Sequence, residues 1–197
     1  MTKLIFAPAD HRYYVGAVEI PSLSRVLEYG GIAKSLDKIP RYILERKRQI
    51  GTAVHLAIKL HLEDDLDWST LDPQVTPYVF AALSYLQRED RKILEVETPV
   101  GGLRLGYACT PDLIVEGGIV EWKTTYAIYP EVEVQLAGQA RAVGGKQARR
   151  VVQLKKDGTF AVKDYGTDAD GLFKAALAVA QWRLKHEPKR RSPREAR

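Results

Sequence analysis

Asp112, Glu121 and Lys123 are the residues whose types and spacing point most directly to chemistry. They sit in Thr110-Pro111-Asp112-Leu113-Ile114-Val115-Glu116-Gly117-Gly118-Ile119-Val120-Glu121-Trp122-Lys123, two apolar, β-branched runs on either side of a Gly-Gly pair. This pattern predicts a β-hairpin with a tight two-residue turn at Gly117-Gly118. Such a turn opposes Val115 with Val120, Leu113 with Trp122 and Asp112 with Lys123. Side chains alternate along a strand, and opposed residues share a face. Leu113, Val115, Val120 and Trp122 then form an apolar face, and Asp112, Glu121 and Lys123 fall together on the other. Opposed residues sit roughly 5 Å apart and diagonal ones roughly 7–8 Å.

Two carboxylates converging on one point repel unless a proton or cation lies between them. Oxygen ligands favour a hard divalent ion such as Mg²⁺ or Mn²⁺. A metal with open positions polarises a phosphoryl oxygen and lowers the pKa of a bound water. A lysine beside it orients that water or steadies charge building on the phosphate. The chemistry implied is metal-assisted hydrolysis of a phosphodiester. The alternative is a sheet with one apolar face and one charged, solvated face, which antiparallel sheets often have.

Pro111-Asp112 followed by Glu121-Trp122-Lys123 resembles the signature of the PD-(D/E)xK nuclease superfamily. The segment Gly51-Thr52-Ala53-Val54-His55, opening a predicted helix to about Glu63, is similar to the Gly-x-x-x-His of the RecB-type branch. There the histidine is an extra metal ligand, and imidazole suits Mn²⁺ better than Mg²⁺. His61 is the competing histidine on the same helix. Glu63, at the head of the acidic Glu63-Asp64-Asp65 cluster, is a candidate for the acidic residue the superfamily often carries on this helix. Downstream, Glu131 to Ala140 reads as a helix carrying Gln135, which matches the glutamine of the RecB-type motif. Gln139 stands where that motif has a tyrosine, a departure that bears on DNA contact. The order His, Asp, Glu-x-Lys, Gln is the specific part of the resemblance.

The resemblance implies His55, Asp112, Glu121 and the carbonyl of Trp122 as metal ligands. It implies Asp112, Glu121, Lys123 and Gln135 as the catalytic set, and Mg²⁺ or Mn²⁺ as cofactor. The function implied is a DNA exonuclease of phage or RecB type, acting on duplex or single-strand ends in recombination, repair or other DNA processing. A recombination partner protein and an oligomeric assembly fit the same picture. The main competing reading is a catalytically inactive nucleic-acid-binding module on the same fold, since a fold does not fix a function. A third is an interaction protein whose charged hairpin face is merely solvated.

The elements that must position these residues follow from periodicity. A strand, Pro21-Ser22 and a short helix occupy Val15 to Leu27, a layout similar to the start of phage-type members. A helix runs from about Pro40 through Glu63, and another from Pro77 to Gln87 with Val79, Ala82, Leu83 and Leu86 on one face. Strands are expected near Ile93–Pro99, Leu103–Glu116 and Ile119–Thr125. Helix Glu131–Val143, a hairpin around Asp157-Gly158 and a helix from Asp168 to His186 complete the chain. The fold class is α/β (α+β): a restriction-endonuclease-like core in which helices flank a central mixed β-sheet.

The chain has 197 residues, 45% of them hydrophobic, enough for one well-packed domain. We expect that domain over residues 1–187 and a basic tail over 188–197. No apolar run approaches the roughly 20 residues that span a bilayer, and the start lacks a signal-peptide layout. The lone Cys109 excludes an internal disulfide or a four-thiolate cluster. It reads as a small buried hydrophobe, and the expected location is cytoplasmic. Thirty lysines and arginines against 25 aspartates and glutamates give a net charge of +5, which suits a polyanionic partner. Basic residues concentrate at Lys146, Arg149, Arg150, Lys155 and Lys156, and in the tail at Lys189, Arg190, Arg191, Arg194 and Arg197. The tail reads as an arm touching phosphates without sequence preference, or as a solubilising extension.

Overall fold

A computed structural model describes residues 3–8, 10–32 and 39–186; the basic tail lies outside the described residues. The elements are β1 (Leu4–Ala7), β2 (Arg12–Val15), β3 (Val18–Ile20), α1 (Leu23–Tyr29), α2 (Arg41–Leu62), a 3₁₀ turn (Trp68–Thr70) and α3 (Thr76–Leu86). There follow β4 (Ile93–Val96), β5 (Val100–Gly102), β6 (Tyr107–Cys109), β7 (Leu113–Val115), β8 (Gly118–Lys123), α4 (Glu131–Val143), β9 (Ala148–Leu154), β10 (Phe160–Tyr165) and α5 (Asp170–His186).

The central sheet has the order β10-β9-β8-β7-β4. It is mixed: β8 pairs with β9 in parallel across the α4 crossover, and the other pairs are antiparallel. Helices cover both faces. On one, Val54, Ala57 and Ile58 of α2 and Val79 and Ala82 of α3 pack on Leu113, Val115, Val120, Trp122 and Val152. On the other, Val132, Leu136 and Ala140 of α4 pack on Ile114, Ile119 and Val151. Helices α1 and α5 pack behind α4 around Leu23, Val26, Phe173 and Leu177. Burial on both faces explains why β7 and β8 read as near-continuous apolar runs.

Two expectations need correction. The run expected as one strand, Leu103–Glu116, is divided between β6, which pairs with β5 in a separate two-stranded sheet, and β7 of the central sheet. Pro111, which has no N–H to give a ladder, stands at the break. The hairpin turn is Glu116-Gly117, with Gly117 at φ 72°, so that Val115 pairs with Gly118 and Leu113 with Val120. Gly118 belongs to β8, paired with Val115 and Ala148; a Cβ there would come within 2.6 Å of Arg91 and 3.1 Å of the Ala148 carbonyl oxygen. The shift is by two places, so the faces keep their members while the partners change. Continued one residue, the register sets Asp112 opposite Glu121.

Far from Asp112, Glu89 fastens the end of α3 to the sheet. Its side chain is 2% exposed and accepts a two-pronged contact from Arg91 (2.8 and 2.7 Å), a bond from the Tyr85 hydroxyl and a longer contact from Arg150 (3.5 Å). Arg91 holds the Glu89 carboxyl down to about 2. Arg150 is also tied to Asp164 at 2.6 Å, and Arg149 is buried against Asp170 at 2.6 Å. Two arginines of the 146–156 basic stretch are thus engaged in internal ion pairs. Replacing Glu89 by Gln leaves these cations short of a charge, and we predict a loss of about 2–4 kcal/mol by urea denaturation at pH 7. The folded carboxyl lies below its unfolded value of 4.5, so the deficit is full above that pH and shrinks as pH falls through about 2.

Candidate metal and catalytic centre

The centre forms at the end of the sheet where β7 begins and β8 finishes. Asp112, just before β7, is 7% exposed, and Glu121 on β8 is 4% exposed. These values dispose of the solvated-face alternative: two adjacent carboxylates are buried and therefore need partners.

Asp112 is the hub. Its Oδ2 accepts from the Trp122 backbone N–H at 2.7 Å, and its Oδ1 lies 3.0 Å from His55 Nδ1. Its own carbonyl accepts from the Glu97 N–H at 3.0 Å. The Trp122 ring points the other way, into the core edge-on to Tyr85, as alternation requires. Among the described residues, His55, Glu97 and Asp112 place one ligand atom each within 4.8 Å of one another. One imidazole and two carboxylates at that separation suit a divalent cation of the Mg²⁺ or Mn²⁺ kind, with the nitrogen inclining the set toward Mn²⁺.

Glu97 is the residue that sequence reasoning missed. It follows β4 with φ 42°, in the left-handed region that non-glycine residues adopt at some energetic cost. Burial and the neighbouring Asp112 push its carboxyl above the usual range. Glu63, by contrast, lies 3.9 Å from Lys59 on the exposed end of α2, and His61 sits edge-on to Trp68. Neither belongs to the cluster of three.

Glu121 is held in a second group. Its Oε1 accepts from Lys123 Nζ (2.7 Å) and Gln135 Nε2 (2.6 Å), and its Oε2 accepts from Gln139 Nε2 (2.8 Å). Lys123 also donates to Gln135 Oε1 at 3.1 Å, closing a ring of three side chains. Gln139, read in sequence as a departure from a motif, lies one helical turn after Gln135 on the same face, and that i, i+4 spacing was the signal available. On the far side of α4, Gly138 lets α1 and α5 close in: a Cβ there would lie 2.5 Å from Leu23 and 2.8 Å from Phe173. Gly51, four residues before His55, is not held to glycine by space: a built Cβ would make only an ordinary contact with the Thr124 hydroxyl, at 3.6 Å.

The charges are interlocked. Burial disfavours a charged His55, but Asp112 and then Glu121 outweigh it and raise the ring to about 9. Burial likewise opposes ionised Asp112, and His55 and Lys123 keep it below its ordinary value. Burial opposes the Lys123 ammonium, while Glu121 and Asp112 keep it charged. Without metal the site is therefore a neutralised ion-pair network, and binding a cation through His55 must expel a proton.

No family model matches the chain, and no curated protein sequence does. Among solved structures it is similar to an alkaline exonuclease, LHK-Exo, from Laribacter hongkongensis: 17% identity, 83% of this chain against 87% of that one, TM-score 0.50. The chain shares the fold of an alkaline exonuclease. A second structure of that enzyme, in complex with dAMP, matches at 16% identity over 84% and 88% of the two chains, again with a TM-score of 0.50. Among the described residues, no helix is long and apolar enough to cross a membrane.

If His55, Glu97 and Asp112 share a cation, Glu97→Gln has opposite effects with and without it. In EDTA the variant relieves repulsion with Asp112, so its Tm is equal to or above wild type. With Mn²⁺, calorimetry should show affinity reduced by about tenfold or more. Unchanged affinity excludes Glu97 from the metal.

Proposed function

We propose that this protein is a divalent-metal-dependent deoxyribonuclease, an exonuclease that hydrolyses phosphodiester bonds at DNA ends. The observation that carries the proposal is the apposition of two sets at one end of the sheet: the metal-ligand chemistry of His55, Glu97 and Asp112, and the ring that Glu121 and Lys123 of the opposing strand form with Gln135 of α4. The alkaline-exonuclease fold and the dAMP-bound state of LHK-Exo support a nuclease that releases mononucleotides.

The geometry supports the following roles. His55, Glu97 and Asp112 would hold a Mg²⁺ or Mn²⁺ ion, with Glu121 and the Trp122 carbonyl adjacent on β8. Such an ion supplies a Lewis acid for a phosphoryl oxygen and a water of lowered pKa. Lys123, whose ammonium Glu121 and Asp112 favour, would orient that water or steady negative charge on the phosphate. Glu121 fixes that ammonium, and Gln135 keeps both from swinging into other rotamers. Gln139 holds the second oxygen of Glu121 from inside the core. The setting proposed is DNA-end processing in recombination or repair, with an oligomer or a recombination partner completing the grip on DNA.

The test is cleavage of linear duplex and single-stranded DNA with Mg²⁺ or Mn²⁺, beside covalently closed circles. We expect linear DNA to be degraded and closed circles spared. Asp112→Asn and Lys123→Ala should each lower the rate by about 10²-fold or more. Equal rates for the wild type and both variants would remove the chemistry from this site.

A further inference from the structure

Helix α2 carries His55 near its middle and is charged unevenly about it. Residues 41–49 hold Arg41, Arg46, Lys47 and Arg48 against the single Glu45; residues 59–65 hold Glu63, Asp64 and Asp65 against Lys59. The basic half is also the bare half. Residues 45 to 49 are exposed on every side, and Ile50 is the first α2 residue packed on the core cluster. Ile43 and Leu44 are half-buried, but among the described residues no core cluster includes an α2 residue before Ile50.

Its orientation is set by His55. Seven residues turn an α-helix through two turns less about 20° and advance it about 10.5 Å. Arg48 therefore lies on the His55 face about 10.5 Å away, and Arg41 on the same face about 21 Å away. His55 points at Asp112, so this stripe is in line with the metal centre. Arg46 leaves the stripe and is bonded to Gln74 at 2.7 Å; Lys47 points about 100° off it. Arg48 faces Glu45 at 3.0 Å, an exposed pair of the weak kind that a phosphate displaces. The helix N-terminus adds partial positive charge at the far end, whereas the acidic end repels a phosphate backbone.

We infer that the basic half of α2 is the track along which the DNA backbone reaches the catalytic centre, with Arg41 and Arg48 contacting phosphates and the strand lying toward Arg41 and away from Asp64. This rests on the proposed nuclease function and adds the direction of approach. The contacts are to backbone, so they carry no sequence preference.

The experiment is fluorescence anisotropy of a labelled DNA duplex with the full chain carrying Lys123→Ala to prevent cleavage, in Mg²⁺, over a salt series. Each phosphate contact adds about 0.9 to the slope of log K against log salt. Arg41→Gln with Arg48→Gln should lower the slope by about two and weaken binding severalfold to a hundredfold at low salt. Lys47→Gln, equal in charge change per residue but off the stripe, should leave the slope within about 0.3 of its parent, well under one contact. Circular dichroism should be unaltered in all, since these residues are exposed. An unchanged slope in the double variant, or an equal per-residue drop with Lys47→Gln, overturns the track. If the Lys123→Ala parent itself shows no salt-dependent binding, the nuclease reading fails and the track with it; if the parent binds steeply and the double variant does too, only the track fails.

Discussion

The pairing of Asp112 with the Trp122 backbone N–H is the interaction on which the rest of the centre depends. A buried carboxylate is tolerated only when its oxygens are occupied, and here the opposite strand occupies one while His55 occupies the other. The same residue's carbonyl holds the Glu97 N–H, fixing a backbone turn that a non-glycine residue would otherwise avoid. One side chain and its peptide thus join three separate parts of the chain: α2, the exit of β4 and the end of β8. Removing the bond to Trp122 would free Asp112 to rotate and would loosen all three together.

The second group depends on distance across layers. Gln135 and Gln139 reach Glu121 because α4 packs on the sheet through Val132, Leu136 and Ala140, while Gly138 on its far face lets Leu23 of α1 and Phe173 of α5 close in behind it. Tyr107 pins the same turn by donating to the Gly138 carbonyl at 2.7 Å. The two groups meet through Asp112 and Lys123: burial opposes the charge on each, His55 and Lys123 keep Asp112 ionised, and Glu121 and Asp112 keep Lys123 charged.

Much of this was legible in the sequence, for identifiable reasons. Helix α4 has the span its periodicity predicts, and the hairpin of β9 and β10 turns where Asp157-Gly158 indicates. The sharing of a face by Asp112, Glu121 and Lys123 survived an error in the turn, because a shift of two preserves alternation. The turn itself was not legible: Gly117 and Gly118 are equivalent as turn residues, and it is the pairing with Ala148, distant in sequence, that extends β8 to Gly118. Strand β6 was hidden inside an apolar run that Pro111 divides between two sheets. The N-terminal strands β1 and β2, which close over Tyr13 and its bond to Thr110 at 2.8 Å, gave too little alternation to be read. Glu97 was invisible because its left-handed backbone and its proximity to Asp112 are tertiary facts with no local signature.

The central claim is that Asp112 gathers His55 and Glu97 around one divalent cation. The most direct measurement is anomalous diffraction at the manganese edge from crystals of the protein soaked in Mn²⁺. The structure predicts a peak bonded to side-chain atoms of His55, Glu97 and Asp112 together. No peak among these residues, or an ion held on β8 with neither His55 nor Glu97 among its ligands, would contradict it.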